Sequence, residues 1–172
     1  IVFLNSWFDP GKEKEAAQAL MAQGADVILG MTDTGVCVQA AQEAGVYSVG
    51  YASDLSTFGP DSQLTSIVLD WSSDYVGAAQ KMLDGNWTSE SRWDGLAKGV
   101  VTLAPFNALI PDDVRAKLDT AVEGVKSGAI QPFAGEIKDN QGNVIVAAGA
   151  VLGDAEVRGI NWLVDGMIGT LG

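Results

Sequence analysis

Asn5 and Trp7 follow one short apolar run, Ile1–Leu4. Thr32 and Asp33 follow a second, Val27–Gly30, and Tyr51 and Asp54 follow a third, Val46–Val49. Trp71, next to Asp70, follows a fourth, Leu64–Leu69. In an open α/β sheet, ligands bind at the carboxyl ends of the strands, near the point where strand order reverses. Aromatic faces and carboxylate acceptors on one such rim suit a flat, hydrogen-bonding, neutral or cationic molecule, so the chemistry indicated is binding. Each residue also has a plainer reading. Trp7 can pack against its own loop or offer a stacking face. Asp33 can cap the following helix, accept from a ligand amine, or do both. Asp54 can close an Asx-turn with Ser56 or meet a ligand. Tyr51 lies beyond the expected strand end and faces ligand or hinge. Asp70-Trp71 reads as a helix cap with a packed indole. Asp9, Glu13 and Glu15 read as a solvated helix start.

Catalysis has little to work with. The chain has no His, which removes Ser-His-Asp and Cys-His nucleophilic sites and His-based zinc. The single Cys37 cannot form an internal disulfide, and its helical position predicts a buried small hydrophobe. No Gly-rich dinucleotide fingerprint and no Walker loop follows any strand. No catalytic residue, cofactor or metal site is therefore expected. With 172 residues, 47% of them hydrophobic, the chain can bury a sizeable core in one domain or slightly more. A net charge of −12 makes nucleic acid a poor partner. No apolar stretch reaches the length of a membrane span. No leader is visible, and the chain opens directly in a strand without Met, as a processed or truncated piece would.

The elements that must position these residues alternate. Asp9-Pro10 predicts a helix start, Ala16, Ala17, Leu20 and Met21 its apolar stripe, and Gly24 its left-handed stop. Ala25–Gly30 is apolar throughout, as in a parallel strand covered on both faces. A second helix, capped by Asp33 or Thr34, buries Val38, Ala41 and Ala44 and ends at Gly45. Two βα units and a further strand predict a parallel α/β layer. Leu55–Ser62 is a loop. Ser72–Leu83 is a helix with Tyr75, Val76, Ala79 and Leu83 inward, and Asp84–Gly99 is turn-rich. Val100–Leu103 is a strand, and a helix runs from Pro111 to about Lys126. Gly135–Lys138 and Asn143–Ala147 form a hairpin across Asp139–Gly142. A last helix from Asp154 carries Ile160, Leu163, Val164, Met167 and Ile168 inward.

The rim segments, taken in order, carry a family likeness. Asn5-Ser6-Trp7-Phe8-Asp9-Pro10-Gly11-Lys12-Glu13-Lys14-Glu15-Ala16 resembles the WxDPxKxKE segment of the basic membrane lipoprotein family, solute receptors for ABC transporters. Gly24-Ala25-Asp26-Val27-Ile28 matches that family's GADVI. Tyr51-Ala52-Ser53-Asp54, Phe58-Gly59-Pro60, Leu64-Thr65-Ser66 and Asn161-Trp162 resemble a branch associated with purine-base uptake. The resemblance implies one lobe of a type I periplasmic-binding-protein-like fold: a parallel sheet flanked by helices, with a C-terminal β-hairpin and helix. Residues 1–172 would form the C-terminal lobe, with crossover segments at about 52–72 and 100–110, facing an N-terminal lobe outside this chain. It further implies a purine ligand between the lobes, an ABC permease as partner, and a periplasmic or lipid-anchored location. Nucleoside-binding members carry a Lys shortly after the LTS segment; here Leu69-Asp70-Trp71 stands instead, which favours a free base such as adenine. On this basis Trp7 stacks, Asp33 accepts an exocyclic amine or ring N–H, and Tyr51 and Asp54 complete the rim. A nucleoside receptor of the same family is the nearest alternative. Two others are an α/β enzyme acting on a small heterocycle through Asp33 or Asp54, and the sensor half of a transcription regulator.

Overall fold

A computed structural model describes residues 1–171. Three strands, β1 (Val27–Leu29), β2 (Tyr47–Ala52) and β3 (Gln63–Leu69), pair in parallel. A fourth, β4 (Val101–Leu103), closes the sheet antiparallel to β3, giving the order β1-β2-β3-β4.

Helix α1 (Pro10–Ala22) starts as the sequence predicts: the Asp9 carboxylate accepts from the Lys12 N–H at 3.1 Å, and Pro10 is the first helical residue. Gly24, at φ 97°, turns the chain out of it. Helix α2 (Val36–Ala44) ends on Gly45, which takes the left-handed conformation that an L side chain resists. Ala17 of α1 and Cys37, Ala40 and Ala41 of α2 meet on Ile28 of β1. These small residues let both helices lie close to the sheet. Because both helices pack on Ile28, they lie on the same face of the sheet. The opposite face is open, and Val27, Leu29 and Tyr47 stand about half exposed there. Coverage on both faces, expected for so apolar a strand, is thus not met among the described residues.

Two further expectations are corrected nearby. Ile1–Leu4 forms no strand, because among the described residues it has no neighbour to pair with. Strand β2 runs to Ala52, so Tyr51 sits inside the ladder opposite Ile67 and not beyond its end.

Helix α3 occupies Ser72–Leu83 as predicted, but Tyr75, Val76 and Leu83 are 70% or more exposed, since no described element covers them. Helix α4 spans Asp112–Ser127. The chain on either side of the β3–β4 pair is sewn together. Asn107 Nδ2 donates to the Pro60 and Gln63 carbonyls, both at 2.9 Å, and Thr65 Oγ1 donates to the Ala104 carbonyl at 2.8 Å. The hairpin forms as β5 (Ile137–Lys138) and β6 (Val144–Val146). Asp139 builds its turn by accepting from the backbone of Gln141 and Asn143.

The final helix is much shorter than expected. Helix α5 covers only Asp154–Arg158, and the chain leaves it at Gly159. Gly166 and Gly169 then adopt positive φ, which a continuous helix does not accommodate. Leu163 is buried, but Ile168 is 87% exposed. The segment instead lies along the hairpin, where Asn140 N–H donates to the Leu163 carbonyl and Asp165 N–H to the Lys138 carbonyl.

Candidate ligand-binding site

The parallel strands β1, β2 and β3 deliver their following loops to one edge of the sheet. That edge carries Thr32 and Asp33 after β1, Asp54 after β2, and Asp70 and Trp71 after β3. Asn5–Phe8 joins it from the segment leading into α1. Trp7 and Asp33 are tied directly, since the Asp33 N–H donates to the Trp7 carbonyl at 3.0 Å. The Trp7 ring is 67% exposed. The Asp33 carboxylate takes no hydrogen bond among the described residues. It does not cap α2, whose N-cap position is Gly35. Thr34 Oγ1 meets the first turn instead, accepting from Val36 N–H at 3.2 Å. The Asp33–Trp7 backbone bond joins the loop that carries an exposed indole to the loop that carries an uncommitted carboxylate.

Under this pair lies a group that sequence reasoning misplaced. Glu13 is completely buried, not part of a solvated helix start. Its Oε2 accepts from the Thr32 hydroxyl at 2.8 Å and from the Thr34 hydroxyl. Its Oε1 accepts from the Asp9 N–H at 3.1 Å. Glu13 thus ties the N-terminus of α1 to the loop after β1. The Thr32 hydroxyl is committed to this bond, so Thr32 supports the rim from beneath. The sequence carried a signal for the contact: Asp9 and Glu13 are spaced one residue wider than a capping box, with two threonines flanking the candidate acid.

The other predicted residues sit farther along the edge. Asp54 Oδ1 accepts from Ser56 N–H at 3.0 Å and from Gln63 Nε2 at 3.1 Å, which is the Asx-turn reading. The Ser56 N–H above all holds this carboxyl below its ordinary range. Asp70 is lowered by Ser72, first by its hydroxyl and then by its N–H, which the carboxylate accepts at 2.9 Å. Trp71 is about half exposed, not packed, and Tyr51 is half-buried. Asn5 is held in the left-handed region at φ 51°. A cavity of about 660 Å³ is lined by Asn5, Trp7 and Thr32 among others. Asp33, Tyr51, Asp54 and Trp71 do not line it. Cys37 is buried as expected, and burial raises its thiol pKa. No described helix is long and apolar enough to cross a membrane.

Fold and rim together define a class: an α/β ligand-binding unit of the kind found in periplasmic binding proteins. Residues 1–132 match the family model for ABC transporter substrate-binding proteins, PnrA-like, and the chain belongs to that family. It is 41% identical over 167 residues to a purine-binding protein of Brucella abortus (strain 2308), covering 97% of this chain and 47% of that protein. Among solved structures it resembles a transcriptional activator of the comK gene from Bacillus halodurans, with TM-score 0.67 and 27% identity. That match covers 76% of this chain and 47% of the other. A solute-binding protein of an ABC transporter system from Conexibacter woesei shares the fold at TM-score 0.57 and 24% identity, over 75% of this chain and 44% of that one. The chain spans about half the length of these relatives.

Proposed function

We propose that this chain is the C-terminal lobe of the solute-binding component of an ABC importer, and that its rim closes on a purine base against a facing N-terminal lobe. The observation that carries the reading is the Trp7–Asp33 backbone hydrogen bond, which ties the loop of an exposed indole to that of a carboxylate with no protein partner among the described residues. Stacking on Trp7 supplies shape and desolvation. Asp33 supplies selectivity, because an analogue lacking the N–H donor leaves the acceptor unpaired on closure. Tyr51, Asp54, Asn5 and Trp71 complete the rim. Residues 52–72 and 100–110 act as the crossovers, and the hydrogen bonds between them make them move as one hinge. The similarity to the purine-binding Brucella protein supports the ligand class. No bond is made or broken in this scheme; closure presents the loaded receptor to a permease at the cell envelope.

The test is a thermal-shift and calorimetric panel of purine bases and nucleosides on the full-length protein. Stabilisation by a free base such as adenine is expected, with Trp7→Ala weakening affinity about 5- to 100-fold, the range of base–aromatic stacking. Asp33→Asn is expected to weaken it further while leaving unfolding of the unliganded protein unchanged. Response to nucleosides alone would transfer the assignment to the nucleoside reading. Silence toward every purine would overturn the ligand class.

A further inference from the structure

We infer that Gln63 is a positioning residue for ligand recognition: its side-chain amide holds one oxygen of Asp54 so that the other stays free for the ligand. The inference rests on the proposed function, in which Asp54 belongs to the rim. Gln63 opens β3 and is 3% exposed. Its backbone is fixed at both ends. The N–H donates to the Gly59 carbonyl at 2.8 Å, and the carbonyl accepts from Asn107 Nδ2 at 2.9 Å. From this base Nε2 donates to Asp54 Oδ1 at 3.1 Å, beside the Ser56 N–H at 3.0 Å. Asp54 is exposed, and its Oδ2 takes no hydrogen bond among the described residues. Asn107 belongs to the proposed 100–110 crossover, so hinge and rim carboxylate are joined through Gln63.

Packing alone does not call for an amide here. Gln63 Oε1 is buried with no hydrogen-bond partner among the described residues. The amide cannot turn over to relieve it, because its oxygen would then face the ionised Asp54 Oδ1, acceptor against acceptor. Gly50 and Ser66 close the space in front of Oε1. A Cβ on Gly50 would lie 3.0 Å from it and collide with Ser66 Oγ. A bare buried acceptor destabilises a fold. The Asp54 carboxylate, by contrast, is at the surface, where water can take the place of the Gln63 N–H. Leucine at position 63 would remove the bare acceptor and give up one bond to an exposed group. The amide thus weighs against stability and serves the carboxylate, the balance expected at a binding site and not in a core. The Asp54 carboxyl is held low by Ser56 above all, with Gln63 a smaller cause and no charged side chain among the causes.

The test uses the full-length protein, with adenine as the probe. Gln63→Leu is expected to weaken adenine binding about 2- to 12-fold, the range of one net hydrogen bond. Its denaturant midpoint is expected to be unchanged or higher, and the Asp54 carboxyl, followed by carbon NMR, to titrate at higher pH than in the parent. In an Asp54→Ala background, Gln63→Leu is expected to change affinity no further. The inference is overturned if Gln63→Leu binds adenine as the parent does. It is equally overturned if the midpoint falls in both Gln63→Leu and Gln63→Met, which would make Gln63 a structural residue, or if the loss of affinity persists without Asp54. If Gln63→Leu does not fold, Gln63→Met carries the same comparisons. A parent that binds no purine brings down the proposed function instead. The hold on Asp54 is then decided by its titration alone, and an unmoved titration in Gln63→Leu overturns that too.

Discussion

Glu13 sets how firmly the rim is held, and its removal has a magnitude that follows from its surroundings. The carboxylate is fully buried and meets three donors, Asp9 N–H and the Thr32 and Thr34 hydroxyls. No lysine or arginine pairs with it among the described residues, so hydrogen bonds alone offset its desolvation. Glu13→Ala strands the Thr32 hydroxyl, itself 8% exposed. An unpaired buried hydroxyl costs about 1–3 kcal/mol, and the one lost buried methylene adds about 0.8 kcal/mol. The expected loss is roughly 2–4 kcal/mol, or about 4–16 °C in Tm for a chain of this size. Glu13→Gln relieves the burial of charge and can keep its contacts, its carbonyl oxygen on the Asp9 N–H and its NH2 donating to the Thr32 and Thr34 hydroxyls turned to accept, but it exchanges charge-assisted hydrogen bonds for weaker neutral ones. About 1–2 kcal/mol of loss is expected. Urea unfolding followed by far-UV circular dichroism measures both. A Glu13→Gln protein as stable as the parent, or a Glu13→Ala protein within about 1 kcal/mol of it, would refute the view that this carboxylate is the tie between α1 and the rim.

Gly50 sits mid-strand in β2, where an added Cβ would collide with Ser66 Oγ and approach Gln63 Oε1 to 3.0 Å. Gly50→Ala should therefore cost about 1–3 kcal/mol in denaturant unfolding, and adding Ser66→Gly should recover part of it, a coupling a double-mutant cycle would read. Acid should weaken the loop after β2. The Asp54 pKa is lowered in the folded state, chiefly by the Ser56 N–H, so its stabilising contribution is complete above the unfolded value near about 3.9. It is lost as pH falls through the lower folded value. The Asp54→Ala protein should show a shallower loss of stability across that window than the parent, and identical acid profiles would contradict the assigned turn.

The layout of the α/β layer was legible because its signals are local. Asp9-Pro10, Gly24 and Gly45 each fix a helix end through their own backbone chemistry, and the structure has all three in those roles. What the sequence hid depends on partners distant in the chain. Glu13 looks like one more charge in an acidic helix start until Thr32 and Thr34, some twenty residues on, fold against it. Tyr51 was misjudged because β2 is lengthened by its pairing with β3, which no local pattern announces. The last helix failed for the opposite reason. Apolar residues at Ile160, Leu163, Val164, Met167 and Ile168 match a helical stripe, but Gly159, Gly166 and Gly169 interrupt it, and the hairpin offers Leu163 an edge to pair with. There, periodicity lost to glycine and to tertiary pairing.

The loop after β1 explains how one short segment can be both rigid and available. Thr32 and Thr34 point inward to Glu13, and Asp33 between them is left free. The three residues lie in a bend that turns both hydroxyls onto Glu13. Its effect is to fix a carboxylate without using up its oxygens. The Asp33 N–H, bonded to the Trp7 carbonyl, fixes the indole loop by the same residue. Under the proposed function, a ligand meeting these two residues would have little ordering left to impose on the protein, which is where preorganised sites gain affinity. The cost is moved inward, to a buried carboxylate that must keep its three donors, so the order of the rim depends on Glu13, beneath it.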